Sequence, residues 1–138
     1  MNKINALLPA AMAALKDTES GLLLPDGKSI LKEYDGYVAS FAPSIITAGL
    51  KATLSFYTDK HKSQPKRVLV LNVLHKIYKG KYARLTGNDL LEMALDTNES
   101  DERQLKNDLI NCAVALKLVM RNFHQKESDT QNQNSEQP

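Results

Sequence analysis

From Leu105 to Phe123 the apolar side chains Leu105, Leu109, Cys112, Ala113, Leu116, Val119, Met120 and Phe123 recur every three or four positions. A strand alternates every two residues, so this run buries one side only as a helix. A helix with so long an apolar stripe needs partners to cover it, and the rest of the chain repeats at the same period. Ile4, Leu7, Leu8, Ala11, Met12 and Leu15 predict a first helix ending near Ser20 and Gly21. Ile30, Tyr34, Tyr37, Val38, Phe41 and Ile45 predict a second, which Pro43 is expected to kink or split and Gly49 to cap.

A third helix is expected from Leu50 to about His61, with Leu54 and Tyr57 inward and Lys51, Ser55, Thr58 and Lys62 outward. The run Val68 to Leu74 fits a buried strand or a buried helix equally well by hydrophobicity alone. Its polar neighbours decide: Asn72, His75, Lys76 and Lys79 line up on one helical face but scatter over both faces of a strand. Gly80 is expected to close this helix. Thr86 and Asp89 resemble a capping box opening a short helix around Leu90, Leu91 and Met93. The expected fold is therefore all-α, a compact bundle of about six helices without a sheet.

With 138 residues, 42% of them hydrophobic, the chain supports one core and not two. The domain is expected over residues 1–125, and the polar stretch 126–138 as a disordered tail. Cys112 has no thiol partner and the start Met-Asn-Lys-Ile-Asn has no signal-peptide pattern, so a reducing cytoplasm is the expected location. The longest uncharged run, Gly36 to Leu50, falls short of the roughly 20 apolar residues that span a bilayer.

The net charge of +2 conceals an uneven distribution. Residues 1–50 carry four lysines against five acids, net −1. Residues 51–84 carry nine cations, Lys51, Lys60, Lys62, Lys66, Arg67, Lys76, Lys79, Lys81 and Arg84, against Asp59 alone, net +8. Residues 85–138 hold five basic and ten acidic side chains, net −5. The nine cations are the candidate phosphate contacts for a nucleic acid, with Tyr82 beside them as a stacking candidate. A merely solvated lysine-rich surface is the alternative. The acids Asp96, Glu99, Asp101 and Glu102 are candidates for protein contacts, or simply helix N-terminal acids.

Patterns that would imply catalysis or a cofactor fail on spacing. Gly27-Lys28-Ser29 ends like a phosphate-binding loop but lacks the glycine five positions earlier, and Pro25 supplies no N–H. Asp96 to Asp101 has the spacing of a calcium loop, yet Asp101 takes the glycine position and Asn107 stands where a bidentate Glu belongs. His61, His75 and His124 are isolated from any zinc-type set, and Cys112 shares the apolar face of Leu109 and Leu116. No cofactor, metal or enzymatic activity is expected. A small enzyme with a site assembled from scattered residues stays as one alternative, and a stand-alone helical adaptor for nucleic acid or protein as another.

Residues 34–57 carry a more specific pattern: Tyr37, Ser40-Phe41, Ile45, Gly49-Leu50, Thr53-Leu54 and Phe56, followed in the last helix by Arg121 and Phe123. This stretch resembles the small helical subunit, numbered fifth, of the Cmr complex, the type III-B CRISPR effector. The chain departs from many relatives in having no tryptophan in the last helix. The resemblance implies a non-catalytic subunit that stacks beside the backbone subunits, lies along guide and target RNA, and serves antiviral defence. Its implied partners are the other Cmr subunits and those RNAs, with no membrane, and the isolated protein is expected to be a monomer.

Overall fold

A computed structural model describes residues 3–59, 66–82, 85 and 87–127, apart from the side chain of Thr18. The elements run α1 (Lys3–Lys16), a 3₁₀ turn (Thr18–Ser20), β1 (Ser29–Leu31), α2 (Lys32–Ala48), α3 (Leu50–Thr58), α4 (Arg67–Lys81), α5 (Leu90–Leu95), α6 (Glu99–Met120) and β2 (His124–Lys126). The long stripe read from the sequence is the centre of the molecule. On α6, Leu105, Leu109, Cys112, Ala113, Leu116, Val119 and Met120 are all buried, and α1, α2 and α4 pack around that helix. Leu7, Ala11 and Leu15 cover it from α1; Val38, Phe41 and Ile45 do so within the same core from α2.

The ambiguous run from Val68 is helical, with Val70, Leu71, Val73 and Leu74 buried and Asn72 and Lys79 exposed, as the polar spacing requires. Gly49 joins α2 to α3 at φ +96°, in the region that favours glycine. Its N–H donates to the Ile45 carbonyl at 2.8 Å, and its own carbonyl accepts from Thr53 N at 3.1 Å. The corner is then locked by the Tyr57 hydroxyl, which donates to the Tyr37 carbonyl at 2.6 Å and lies 2.8 Å from Ser40 Oγ. Phe41 meets Tyr57 edge-on at 5.4 Å. The motif residues of 34–57 thus act largely as one packed helix pair.

Several boundaries differ from expectation, each for a local reason. Pro43 neither splits nor ends α2, because Val38, Phe41 and Ile45 on both sides of it are anchored in one core while Pro43 itself faces out. α1 stops at Lys16, since the Asp17 carboxylate accepts from Glu19 N at 2.9 Å and opens the 3₁₀ turn instead. α3 ends at Thr58, short of His61, and residues 60–65 lie outside the described residues. α4 passes Gly80 to Lys81 because Tyr82 N still reaches the Tyr78 carbonyl at 2.8 Å. Asp89 is itself the cap of α5, accepting from Glu92 N at 2.8 Å; Thr86 lies outside the described residues. At α6 the acids do serve the helix start: Asn98 caps Asp101 N at 2.8 Å, and Glu99, Asp101 and Glu102 occupy the first turn.

The largely helical chain also contains one small sheet, contrary to the expectation of none. β1 and β2 pair in parallel with Ser29 opposite His124, Ile30 opposite Gln125 and Leu31 opposite Lys126. Strands of three residues show too little alternation to be read in advance, and His124-Gln125-Lys126 is polar throughout. The sheet ties the exit of α6 to the entry of α2. Residues 128–138 of the expected tail lie outside the described residues.

Candidate nucleic-acid and subunit interface

Among the described residues, the cations of the basic segment do not form one uniform face. Lys51, in the first turn of α3, lies 3.0 Å from Glu102 of α6. Lys66 donates to Glu33 Oε1 of α2 at 3.0 Å, and that carboxylate also receives the Tyr37 hydroxyl at 3.4 Å. Lys76 pairs with Asp17, beyond the end of α1. Three candidate phosphate contacts are thus engaged by carboxylates of this same chain. Exposed pairs of this kind contribute little to stability, but they reduce the field a polyanion meets.

Arg67, Lys79 and Lys81 enter no ion pair among the described residues. Lys79 and Lys81 are exposed in the last turn of α4, where the helix dipole favours cations. Arg67 opens the same helix roughly 20 Å away, given a rise of 1.5 Å per residue. Its guanidinium lies 5.0 Å from the Tyr37 ring centroid and 4.5 Å from that of Phe56. Lys60, Lys62 and Arg84 lie outside the described residues. Tyr82 is half-buried against the core, its ring 5.5 Å from Tyr78.

The acidic candidates gather near the start of α6. Asp96, Glu99 and Asp101 are exposed, while Glu102 is half-buried and held by Lys51. Next to them a cleft is lined by Lys51, Glu99, Glu102, Arg103 and Lys106. Arg103 and Lys106 escaped the sequence reading because they lie in the acidic third of the chain; only their three-residue spacing on α6 hints that they share a face. Between α2 and α6 runs an apolar groove of about 160 Å³ formed by Val38, Ala39, Ala42, Ala113, Val114 and Leu118, with Lys117 and Arg121 along it. Leu95 is 61% exposed between Asp89, Glu92 and Asp96.

Two groups with reactive potential, Cys112 and Asp26, are taken up by the fold itself. The Cys112 thiol is fully buried, and burial followed by the nearby Asp108 charge pushes it up to about 12. Asp26 gathers the turn that resembled a phosphate loop: its Oδ1 accepts from Lys28 N at 2.8 Å and Ser29 N at 2.9 Å, and its Oδ2 from Ser29 Oγ at 2.8 Å. A carboxylate of the chain itself therefore takes the N–H groups a phosphate would need. His75 is half-buried on α4, and burial, then Lys79, hold its imidazole below the usual histidine range. No cluster of three or more metal-type side chains occurs among the described residues, and no helix there is long and apolar enough to cross a membrane.

These features define an all-α protein whose exposed chemistry is that of surfaces: cations at both ends of α4, an acidic end at α6, and an apolar groove between α2 and α6. The family model described as CRISPR-associated protein (Cas_Cmr5) matches residues 10–122, and the chain belongs to that family. It is a Cmr5-like small subunit of a type III-B CRISPR complex and associates with other subunits of that complex. Comparisons with curated proteins and with solved structures gave no match.

Proposed function

We propose that the chain is a non-catalytic subunit that stacks along the backbone subunits of the Cmr effector and helps hold guide and target RNA, acting in the cytoplasm in antiviral defence. The observation that carries this reading is the set of cations that have no carboxylate partner among the described residues, Arg67 at one end of α4 and Lys79 and Lys81 at the other, in a chain of the Cmr5 family. Cations roughly 20 Å apart on one rigid helix contact phosphates several nucleotides apart, supplying affinity without reading sequence. The acidic surface around Asp96, Glu99 and Asp101 is left for neighbouring subunits.

Reconstitution of the effector with and without this chain tests the proposal. Without it, the complex should keep its cleavage chemistry but capture target RNA more weakly, with a shallower salt dependence. Equal target affinity with and without the chain would overturn the RNA-holding role. Turnover of RNA by the chain alone would overturn the non-catalytic one.

A further inference from the structure

Phe56 is an aromatic side chain that the fold leaves outside the core. On α3, Leu50, Thr53, Leu54 and Tyr57 turn inward, whereas Phe56 keeps 47% of its surface exposed. The ring is nevertheless held in place. Tyr57 meets it edge-on at 6.1 Å, and the Arg67 guanidinium lies 4.5 Å from its centroid while reaching the Tyr37 ring at 5.0 Å. Two elements therefore converge on one spot, α3 bringing the ring and the start of α4 bringing the cation.

The electrostatic setting separates this arginine from its neighbours. Glu33 of α2 is taken by Lys66 at 3.0 Å and by the Tyr37 hydroxyl at 3.4 Å. Among the described residues Arg67 has no carboxylate partner. A guanidinium resting on a ring keeps its N–H donors available at the edge of its plane, in a fork that suits a phosphate. An ordered aromatic surface beside such a fork matches the two parts of a nucleotide, the π-face of the base and the charge of the backbone. A protein partner's apolar side chain is better served by the groove between α2 and α6, where Ala42, Val114 and Leu118 offer concave apolar surface.

We infer that Phe56 and Arg67 form a stacking platform for single-stranded RNA: a base lies against the open part of the Phe56 ring and Arg67 donates to an adjacent phosphate. The inference rests on the proposal that this subunit holds RNA, and it names the place where a base is gripped. Because every base has a π-face, the platform is indifferent to sequence.

The test titrates the full chain into single-stranded RNA carrying one 2-aminopurine, with anisotropy reporting binding and 2-aminopurine quenching reporting stacking. At low salt the parent should bind and quench. Phe56→Leu keeps an apolar side chain but removes the ring, and should weaken binding about 5- to 100-fold and abolish the quench. Phe56→Trp should restore both, which guards against a folding defect in the leucine variant. Arg67→Gln should weaken binding and make its salt dependence shallower. If Phe56→Leu binds and quenches like the parent, the platform is overturned while RNA holding stands. If the parent binds no RNA, alone or assembled with its partner subunits, RNA holding falls and the platform with it. If Phe56→Leu keeps its RNA affinity but fails to enter the assembled complex, Phe56 is a protein contact and the platform is overturned.

Discussion

The Lys51 ammonium lies 3.0 Å from the Glu102 carboxylate, joining a cation of the +8 segment to an acid of the −5 segment within one molecule. Each residue was a candidate for an external contact, and each finds its partner in the other. The side chains are 46% and 31% exposed, so the pair contributes at most about 1 kcal/mol to stability. Glu102→Gln should barely move the melting temperature. It should, however, release Lys51 toward RNA and steepen the salt dependence of binding by about 0.7 in the log–log slope. An unchanged slope would show that Lys51 faces no phosphate.

Glu102 is therefore a poor handle for testing subunit contacts, whereas Asp96, Glu99 and Asp101 are exposed. Replacing these three by Lys should lower the number of copies recovered in the assembled complex, read by native mass spectrometry. Glu99 and Asp101 sit in the first turn of α6, so each of those reversals should also cost about 0.3–1 kcal/mol through the helix dipole. Melting should show a modest loss and no unfolding. Unchanged copy number would remove this surface from the interface.

Cys112 should be chemically silent in the native protein. Its thiol is fully buried and pushed up to about 12, so the thiolate that reacts with disulfide reagents is scarce at pH 8. Dithionitrobenzoate should label it only as the chain opens, at a rate that rises with denaturant. Rapid labelling in native buffer would contradict the packing of α6.

The turn before β1 should respond to acid. The Lys28 N–H, followed by the Ser29 hydroxyl, holds the Asp26 carboxyl at about 2 against its ordinary value of 3.8. A depressed folded-state value means that the stabilisation is complete above about pH 4 and is lost as pH falls toward 2. Protection of the Lys28 and Ser29 amides, taken relative to the intrinsic exchange rate at each pH, should fall through that window, and Asp26→Asn should flatten the response. Exchange that is independent of pH-linked opening between 4 and 2 would show that Asp26 does not organise the turn.

Much of the helical architecture was legible in the residues alone, because a stripe such as Leu105 to Met120 has only one regular structure that buries it on one side. The same logic settled α4 from Asn72, His75, Lys76 and Lys79, and a glycine at 49 marked the corner that φ +96° requires. The motif around Tyr37 to Phe56 likewise carried the family, which needs only identity and order along the chain. What the tertiary structure decided depends on residues distant in sequence. Lys66 meets Glu33 across 33 positions and Lys76 meets Asp17 across 59, approaches that partly neutralise the basic segment, and Lys117 of the acidic third meets Asp35 across 82. The pairing of Ser29 with His124 and the meeting of Arg67 with Phe56 belong to the same class. Periodicity reports which side of an element turns inward. Which charge or ring it meets there depends on how the elements pack, and that is a property of the assembled core.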